Sequence, residues 1–415
     1  MVDSDGFHIP PLARQIFVLA TDAGSEARIV GGAVRDFLAG RQPGDIDMAV
    51  AMPIEQAAEI FRKAGLRVIE TGLGHGTVTV RAAAAQAAAI EVTQTRVDVD
   101  TDGRHATIEF SADWKQDASR RDFTINAIYV CADGSIADPL DGEADLRAGR
   151  LRFVGDAGQR VREDALRMLR YCRLMPAFAS AGPDPEAVAA LCVHAGLATA
   201  LSGERVASEL ARLLVAPGAS DAIALMRDCG VDVAALGLSV DASLLARMPP
   251  IDPAGPFAAE GWLAALALIM PSGSAQPLAD RLRLSRRDAK SLLIFDQLGE
   301  PELATQLAPQ LATQLAPPPD DPTIWQRAIW RLRRDGVNAG LVYAVATARA
   351  GGDVDLAHAA ALACWDPPKC PISGTDLLSH GVDNGPALGQ MLEALEQKWV
   401  DSSFTLSRNE LLAGL

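Results

Sequence analysis

One stretch near the start of the chain constrains its fold more than any other: Arg28-Ile29-Val30-Gly31-Gly32-Ala33-Val34-Arg35-Asp36-Phe37-Leu38, followed by Gly40-Arg41-Gln42-Pro43-Gly44 and Asp45-Ile46-Asp47-Met48-Ala49-Val50. It reads as a short strand, a two-glycine turn, about two helical turns, a Gly/Pro loop and a second strand. Side chains alternate along a strand, so Asp45 and Asp47 share one face while Ile46 and Met48 share the other. Glycines after a strand let the backbone approach a ligand closely, and the first N–H groups of the next helix are ready donors to phosphate. Arg35 adds a guanidinium fork on the same side. Each piece alone has an ordinary explanation, because Gly-Gly is a common turn and Asp follows Pro-Gly as a turn residue. Two carboxylates on one open face suit a pair of divalent cations, the arrangement that clamps the attacking and leaving oxygens in phosphoryl or nucleotidyl transfer.

Further ordered motifs follow. Thr71-Gly72-Leu73-Gly74-His75-Gly76-Thr77-Val78 precedes Arg120-Arg121-Asp122-Phe123-Thr124-Ile125-Asn126-Ala127, and Asp138-Pro139-Leu140 precedes Gly142 and Asp145-Leu146. Glu163-Asp164-Ala165-Leu166-Arg167-Met168-Leu169-Arg170-Tyr171-Cys172-Arg173 closes the series. Together, over residues 28 to 173, they resemble the class II nucleotidyltransferases, the tRNA CCA-adding enzymes and bacterial poly(A) polymerases. The resemblance implies an α+β protein, with a polymerase β-like head built on a small mixed sheet and an all-α neck, body and tail behind it. Template-independent addition of C, C and A to a tRNA 3′ end from CTP and ATP, with two Mg²⁺ ions and release of pyrophosphate, is the activity implied. Poly(A) addition and partial CC-only or A-only addition stay open beside it. The resemblance also places Arg121 and Asp122 beside the sugar and phosphates of the nucleotide.

Glu91 interrupts an apolar strand between Ile90 and Val92. It reads either as a strand residue facing water or as the third carboxylate that polymerase β-like sites commonly have, joining Asp45 and Asp47 as a metal ligand.

From residue 159 the period becomes helical, and the step of three from Asp164 to Arg167, Arg170 and Arg173 sets these groups along one slowly turning stripe. A surface salt bridge between Asp164 and Arg167 is the plain reading. The alternative is recognition of a base: Asp accepts and Arg donates, which matches the amino group beside a ring acceptor in cytosine and adenine and mismatches guanine and uracil. Such a bidentate contact discriminates by about 1–3 kcal/mol. Arg170 and Arg173 then serve the triphosphate or the stacking side. The family's usual Arg-Phe is here Arg173-Leu174.

With 415 residues, 49% of them hydrophobic and 22% charged, the chain is a globular multidomain protein. The resemblance implies a division into a catalytic head (1–155), a nucleotide-selecting neck (156–220), a body (221–340) and a tRNA-binding tail (341–415). The net charge of −15 excludes indiscriminate coating of nucleic acid. Locally the sign reverses: between Arg147 and Arg173 stand eight arginines against Asp156, Glu163 and Asp164. Arg281, Arg283, Arg286, Arg287 and Lys290 read as one basic helix and Arg327, Arg331, Arg333 and Arg334 as another, both suited to RNA backbone.

No apolar run, including Gly261 to Met270, reaches membrane-spanning length. The six scattered cysteines read as reduced thiols, so the expected location is the cytoplasm. Leu303 to Pro309 recurs as Leu311 to Pro317 and reads as a surface insertion.

Overall fold

The computed structural model describes residues 6–82, 89–101, 106–252, 254–298, 326, 329–330, 336–366 and 368–413. The alanine-rich stretch 83–88, His105, the duplicated 303–317 segment and the arginines at 327, 331, 333 and 334 lie outside the described residues, as does the side chain of His75.

Helix α1 (Pro11–Asp22) opens on a proline at its first turn, where the missing N–H costs nothing. It leads into β1 (Ala27–Val30), α2 (Gly32–Leu38), β2 (Asp47–Val50), α3 (Ile54–Lys63), β3 (Arg67–Gly72), β4 (Thr77–Arg81) and β5 (Ala89–Gln94). β6 (Arg96–Thr101) and β7 (Ala106–Phe110) pair as a separate antiparallel hairpin. After α4 (Trp114–Ser119), short strands β8 (Tyr129–Val130) and β9 (Ile136–Ala137) complete a seven-stranded sheet of order β3-β4-β5-β2-β1-β8-β9. Among the described strands β2 and β5 run parallel and the other pairs are antiparallel.

The sheet is two-faced because its strands alternate. Met48, Val50, Val78, Val80, Ile90 and Val92 turn toward α1 and α3, where Ile16, Phe17, Ile54 and Phe61 complete one apolar core. At roughly 25 cal/mol per Å², each such side chain contributes about 1.5–3 kcal/mol by leaving water. The opposite face is thinner: Val30, Ala49, Ala118, Ala127 and Tyr129 form a small second cluster. Cross-strand pairing puts Tyr129 opposite Val30, Val30 opposite Asp47, and Asp47 opposite Glu91. Those four residues form one row across β8, β1, β2 and β5 on the thin face.

Helices follow: α5 (Gly142–Arg147), α6 (Ala157–Glu163), α7 (Leu166–Phe178), α8 (Pro185–His194), α9 (Gly203–Leu214), α10 (Ala219–Asp228), α11 (Val231–Leu236), α12 (Gly261–Ile269), α13 (Ala275–Leu282), α14 (Arg286–Gln297), α15 (Ala339–Arg349), α16 (Leu356–Cys364), α17 (Gly374–Ser379), α18 (Pro386–Asp401) and α19 (Arg408–Leu412). The chain forms two compact units, residues 1–201 with 225–235, and residues 202–224 with 236–415. In the second, α12 is buried on nearly every side, which explains its unbroken apolar sequence. No described helix is long and apolar enough to cross a membrane. The last helices gather around Leu377, Trp399, Val400 and Leu411.

Several local expectations change. After Asp122 the chain makes one 3₁₀ turn, Thr124–Asn126, and Phe153 forms an isolated bridge with Phe123. The basic residues 281–290 do not share one helix: Arg283 adopts the left-handed conformation that ends α13, and α14 begins at Arg286. Ser202 stands at the start of α9 without a side-chain capping bond. Cys192 and Cys229 are joined as a disulfide, with Cα atoms 4.2 Å apart, whereas Cys131, Cys172, Cys364 and Cys370 are free thiols. A separation of 37 residues hides that pairing from the sequence.

Candidate active site

The open end of the thin face is built around Gly31. Its φ of +86° with ψ of −140° belongs to a region that only glycine occupies without strain, and a Cβ there would stand 3.9 Å from Asp47 Oδ2. The strand-to-helix turn therefore passes directly beside the carboxylate of Asp47, and a Cβ on the next residue, Gly32, would stand 3.6 Å from Arg35 Nη2.

Asp47 begins β2, and Asp45 lies two residues earlier in the preceding loop; both are exposed. The register puts Glu91, also exposed, directly beside Asp47. Paired residues of neighbouring strands share a face, so the two carboxylates point the same way. The Asp47 carboxyl is pushed up to about 6, first by desolvation against the sheet, then by the negative charges of Glu91 and Asp45, while Arg121 draws it down. Hard oxygen donors on an open face suit a hard divalent cation. Among the described residues no three His, Cys, Asp or Glu side chains close on one point. An ion here would thus complete its shell with water and substrate oxygens, as Mg²⁺ commonly does.

Arg35, expected to face phosphate, is held by neighbouring side chains. Its side chain is buried, Nε and Nη2 donate to Asp36 Oδ1, and Nη1 donates to Asn126 Oδ1 at 2.8 Å. Phe178 covers the guanidinium at 4.4 Å. Burial and the nearby positive charge of Arg173 lower its pKa, against the pull of Asp36. Arg35 is a packing and hydrogen-bonding hub between α2 and α7, with its fork already engaged.

Asp122 is committed in a similar way. Oδ1 accepts from Phe123 N and Asn126 Nδ2, and Oδ2 accepts from Arg170 Nε at 2.7 Å. Burial works against the anion, but Arg170 and these hydrogen bonds outweigh it and hold the carboxyl below its ordinary range. Asp122 thereby fastens the head to α7.

Asp164 does not lie on the same helix as the arginines. It adopts extended angles between the end of α6 and the start of α7, with Oδ1 accepting from Leu166 N. Arg167 finds its carboxylate at Glu163, 2.7 Å from Nη1, and not in an ion pair with Asp164. It also donates to the carbonyls of Arg160 and Arg120, each at 3.0 Å. Reading down α7, Arg167 meets Arg120, Arg170 meets Asp122, and Arg173 lies within electrostatic reach of Arg35. The stripe read from the sequence is real from residue 167 onward, and it faces the head.

Sequence reasoning missed Asp117, Asn126, Tyr129 and Glu163. Glu163 stood in a motif as an acid beside Asp164. Asn126 likewise stood in a motif; Asp117, three and four positions before the arginine pair, looks like ordinary surface chemistry, and Tyr129 like a plain strand residue.

A two-faced mixed sheet with neighbouring carboxylates at one open end, tied by charged pairs to a helical neck, defines a nucleotidyltransferase of the polymerase β-like kind. A family model of the poly(A) polymerase head domain matches residues 27–152, and one for the probable RNA and SrmB-binding site of polymerase A matches residues 183–231. The mitochondrial CCA tRNA nucleotidyltransferase 1 of Danio rerio is 33% identical over 94% of this chain and 87% of its own length. The CCA-adding enzyme of Geobacillus stearothermophilus is 38% identical over 52% of each chain. The crystal structure of the Bacillus stearothermophilus CCA-adding enzyme in complex with CTP superposes with a TM-score of 0.69 at 27% identity, covering 95% of this chain and 94% of that one. The chain belongs to the CCA tRNA nucleotidyltransferase family.

Proposed function

We propose that this enzyme adds C, C and A to the 3′ end of tRNA, using CTP and ATP without a nucleic-acid template. The observation that carries the reading is the row in which Asp47 and Glu91 lie side by side at the Gly31 turn, with Arg121 in electrostatic reach and its neighbour Asp122 bonded to Arg170 of the neck. It joins a site for a triphosphate to a helix able to read a base. A crystal structure with CTP bound, at 27% identity, supports the same substrate class.

Asp45, Asp47 and Glu91 would hold Mg²⁺, which when bound supplies charge neutralisation to the transferring phosphoryl group and lowers the pKa of the attacking hydroxyl. Gly31 and Gly32 keep side chains away from the triphosphate, and Arg121 offers donors to its oxygens. Asp164 and Arg167 read the base edge, with Glu163 and the carbonyls of Arg120 and Arg160 setting the plane of the Arg167 guanidinium. Among the described residues Arg167 Nε makes no hydrogen bond and remains for the base. Arg170 and Arg173 act less directly, by docking α7 on the head. The division into head, neck, body and tail belongs to this proposal, with the tail carrying the outer part of the tRNA. So does a cytoplasmic location, which finding a fluorescent fusion elsewhere would overturn.

The test is incubation of the protein and Mg²⁺ with tRNA lacking its last three nucleotides and with each nucleoside triphosphate in turn. Stepwise incorporation of C, C and A is the expected result. Long A tracts from ATP alone would make the enzyme a poly(A) polymerase, and arrest after CC, or A added only to a CC end, would make it a partial enzyme.

A further inference from the structure

Asp117 has no place in the chemistry described so far, yet no carboxylate near the site is more completely enclosed: its side chain is 0% exposed. It sits on α4, one turn before the Arg120-Arg121 pair, and both oxygens are filled. Arg120 donates to Oδ1 through Nε and Nη2, at 2.8 and 2.5 Å. Arg121 donates to Oδ2 through Nη2 at 2.9 Å, and so does the Tyr129 hydroxyl, also at 2.9 Å. The same hydroxyl accepts from Arg121 Nε at 3.3 Å. Asp117, Arg121 and Tyr129 thus close a three-membered ring of hydrogen bonds.

The ring fixes orientation as well as position. A guanidinium is planar, so holding Nε and Nη2 on two fixed partners leaves it a single pose. Among the described residues Nη1 makes no hydrogen bond, and that is the corner left for a ligand. Tyr129 is itself immobile, paired through Val30 to Asp47 in the row across the sheet. The second arm of the network reaches the neck, because the carbonyl of Arg120, whose side chain Asp117 also holds, accepts from Arg167.

We propose that Asp117 is a positioning residue for nucleotidyl transfer, locking Arg121 through Tyr129 so that its Nη1 corner is presented to the phosphates of the incoming nucleotide. This rests on the reading of the site as one for CTP and ATP. A carboxylate serving only to cement the core would be expected to affect folding and nothing else; one acting through Arg121 loses its effect when Arg121 is gone.

The experiment is a cycle of Asp117→Asn, Arg121→Ala and the double variant, all in the full chain. It measures kcat/KM for CTP and ATP on truncated tRNA, and CTP binding by equilibrium dialysis in EDTA. Asp117→Asn keeps the shape and one acceptor but loses the charge. It is expected to lower kcat/KM by tenfold or more and to weaken CTP binding in EDTA, with the KM for tRNA changed less than twofold. In the Arg121→Ala background the same substitution is expected to change either quantity less than twofold. Should Asp117→Asn fail to fold, Tyr129→Phe opens the ring by one hydroxyl and carries the same comparison, with about a threefold loss that disappears without Arg121. Undiminished kcat/KM in a folded Asp117→Asn enzyme, or equal losses with and without Arg121, overturns the proposal. A wild-type protein that incorporates neither C nor A overturns the assigned activity instead, and an enzyme extending with ATP alone still permits the cycle.

Discussion

Replacing Arg170 by alanine tests whether the ion pair to Asp122 is what fastens the neck helix to the head. The Asp122 side chain is 10% exposed and that of Arg170 33%. Removing one partner of a buried pair costs about 3–5 kcal/mol, because the other charge stays buried without compensation. Here Asp122 keeps its bonds from Phe123 and Asn126, which puts the loss for Arg170→Ala near the lower end, about 3 kcal/mol. Asp122→Asn is milder, about 1 kcal/mol, since Arg170 is exposed enough to turn its charge to water. For a unit of 150–250 residues this corresponds to a fall of about 6–12 °C in Tm for Arg170→Ala. The carboxyl of Asp122 is held below its ordinary value in the folded state. Its contribution is therefore complete above about pH 4 and disappears as the pH falls through the depressed value. Thermal unfolding of wild type, both single variants and the double at pH 7.5 and in steps below pH 4 provides the measurement. A loss under 1 kcal/mol for Arg170→Ala, additivity in the double variant, or a gap that does not narrow as the pH falls below 4 would refute the coupling.

Asp45→Ala and Asp47→Ala are each expected to reduce incorporation at least a thousandfold with little change in tRNA affinity by gel shift, and Glu91→Gln is expected to lower it less. Because Asp47 is raised to about 6, it carries more protons folded than unfolded between about pH 4 and 6, so stability falls as pH rises through that range. Asp47→Asn should accordingly raise Tm at pH 7.5 and leave it unchanged at pH 4, which differential scanning would reveal. Asp164→Ala, and Glu163→Gln through Arg167, should relax the choice of C and A over G and U by about tenfold in single-nucleotide incorporation; unaltered selectivity would remove the base-reading role. Reduction of the Cys192–Cys229 bond should destabilise the first unit by about 4 kcal/mol or less, from the loop it closes, seen as a lower Tm in dithiothreitol that Cys229→Ser abolishes.

The head was legible because its motifs are local. Gly-Gly before a helix and Asp-x-Asp on a strand are adjacent in sequence, and alternation alone put Asp47 and Met48 on opposite faces. Glu91 reads two ways from its own strand; the parallel pairing of β2 with β5 sets it beside Asp47, and such register is not encoded within either strand. Asp164 was misplaced because helical periodicity continues across the break between α6 and α7, where one extended residue resets the axis. Arg35 looked like a free phosphate donor because its partners Asn126 and Phe178 lie far along the chain. Sequence spacing showed which charges share a stripe, but it could not show which were already spent on one another.

Residues 225–235 belong with the first unit although the chain has already passed through 202–224 in the second. The polypeptide thus crosses from one body to the other three times. A gene fragment ending anywhere before codon 225 would lack the piece that Cys229 bonds to α8.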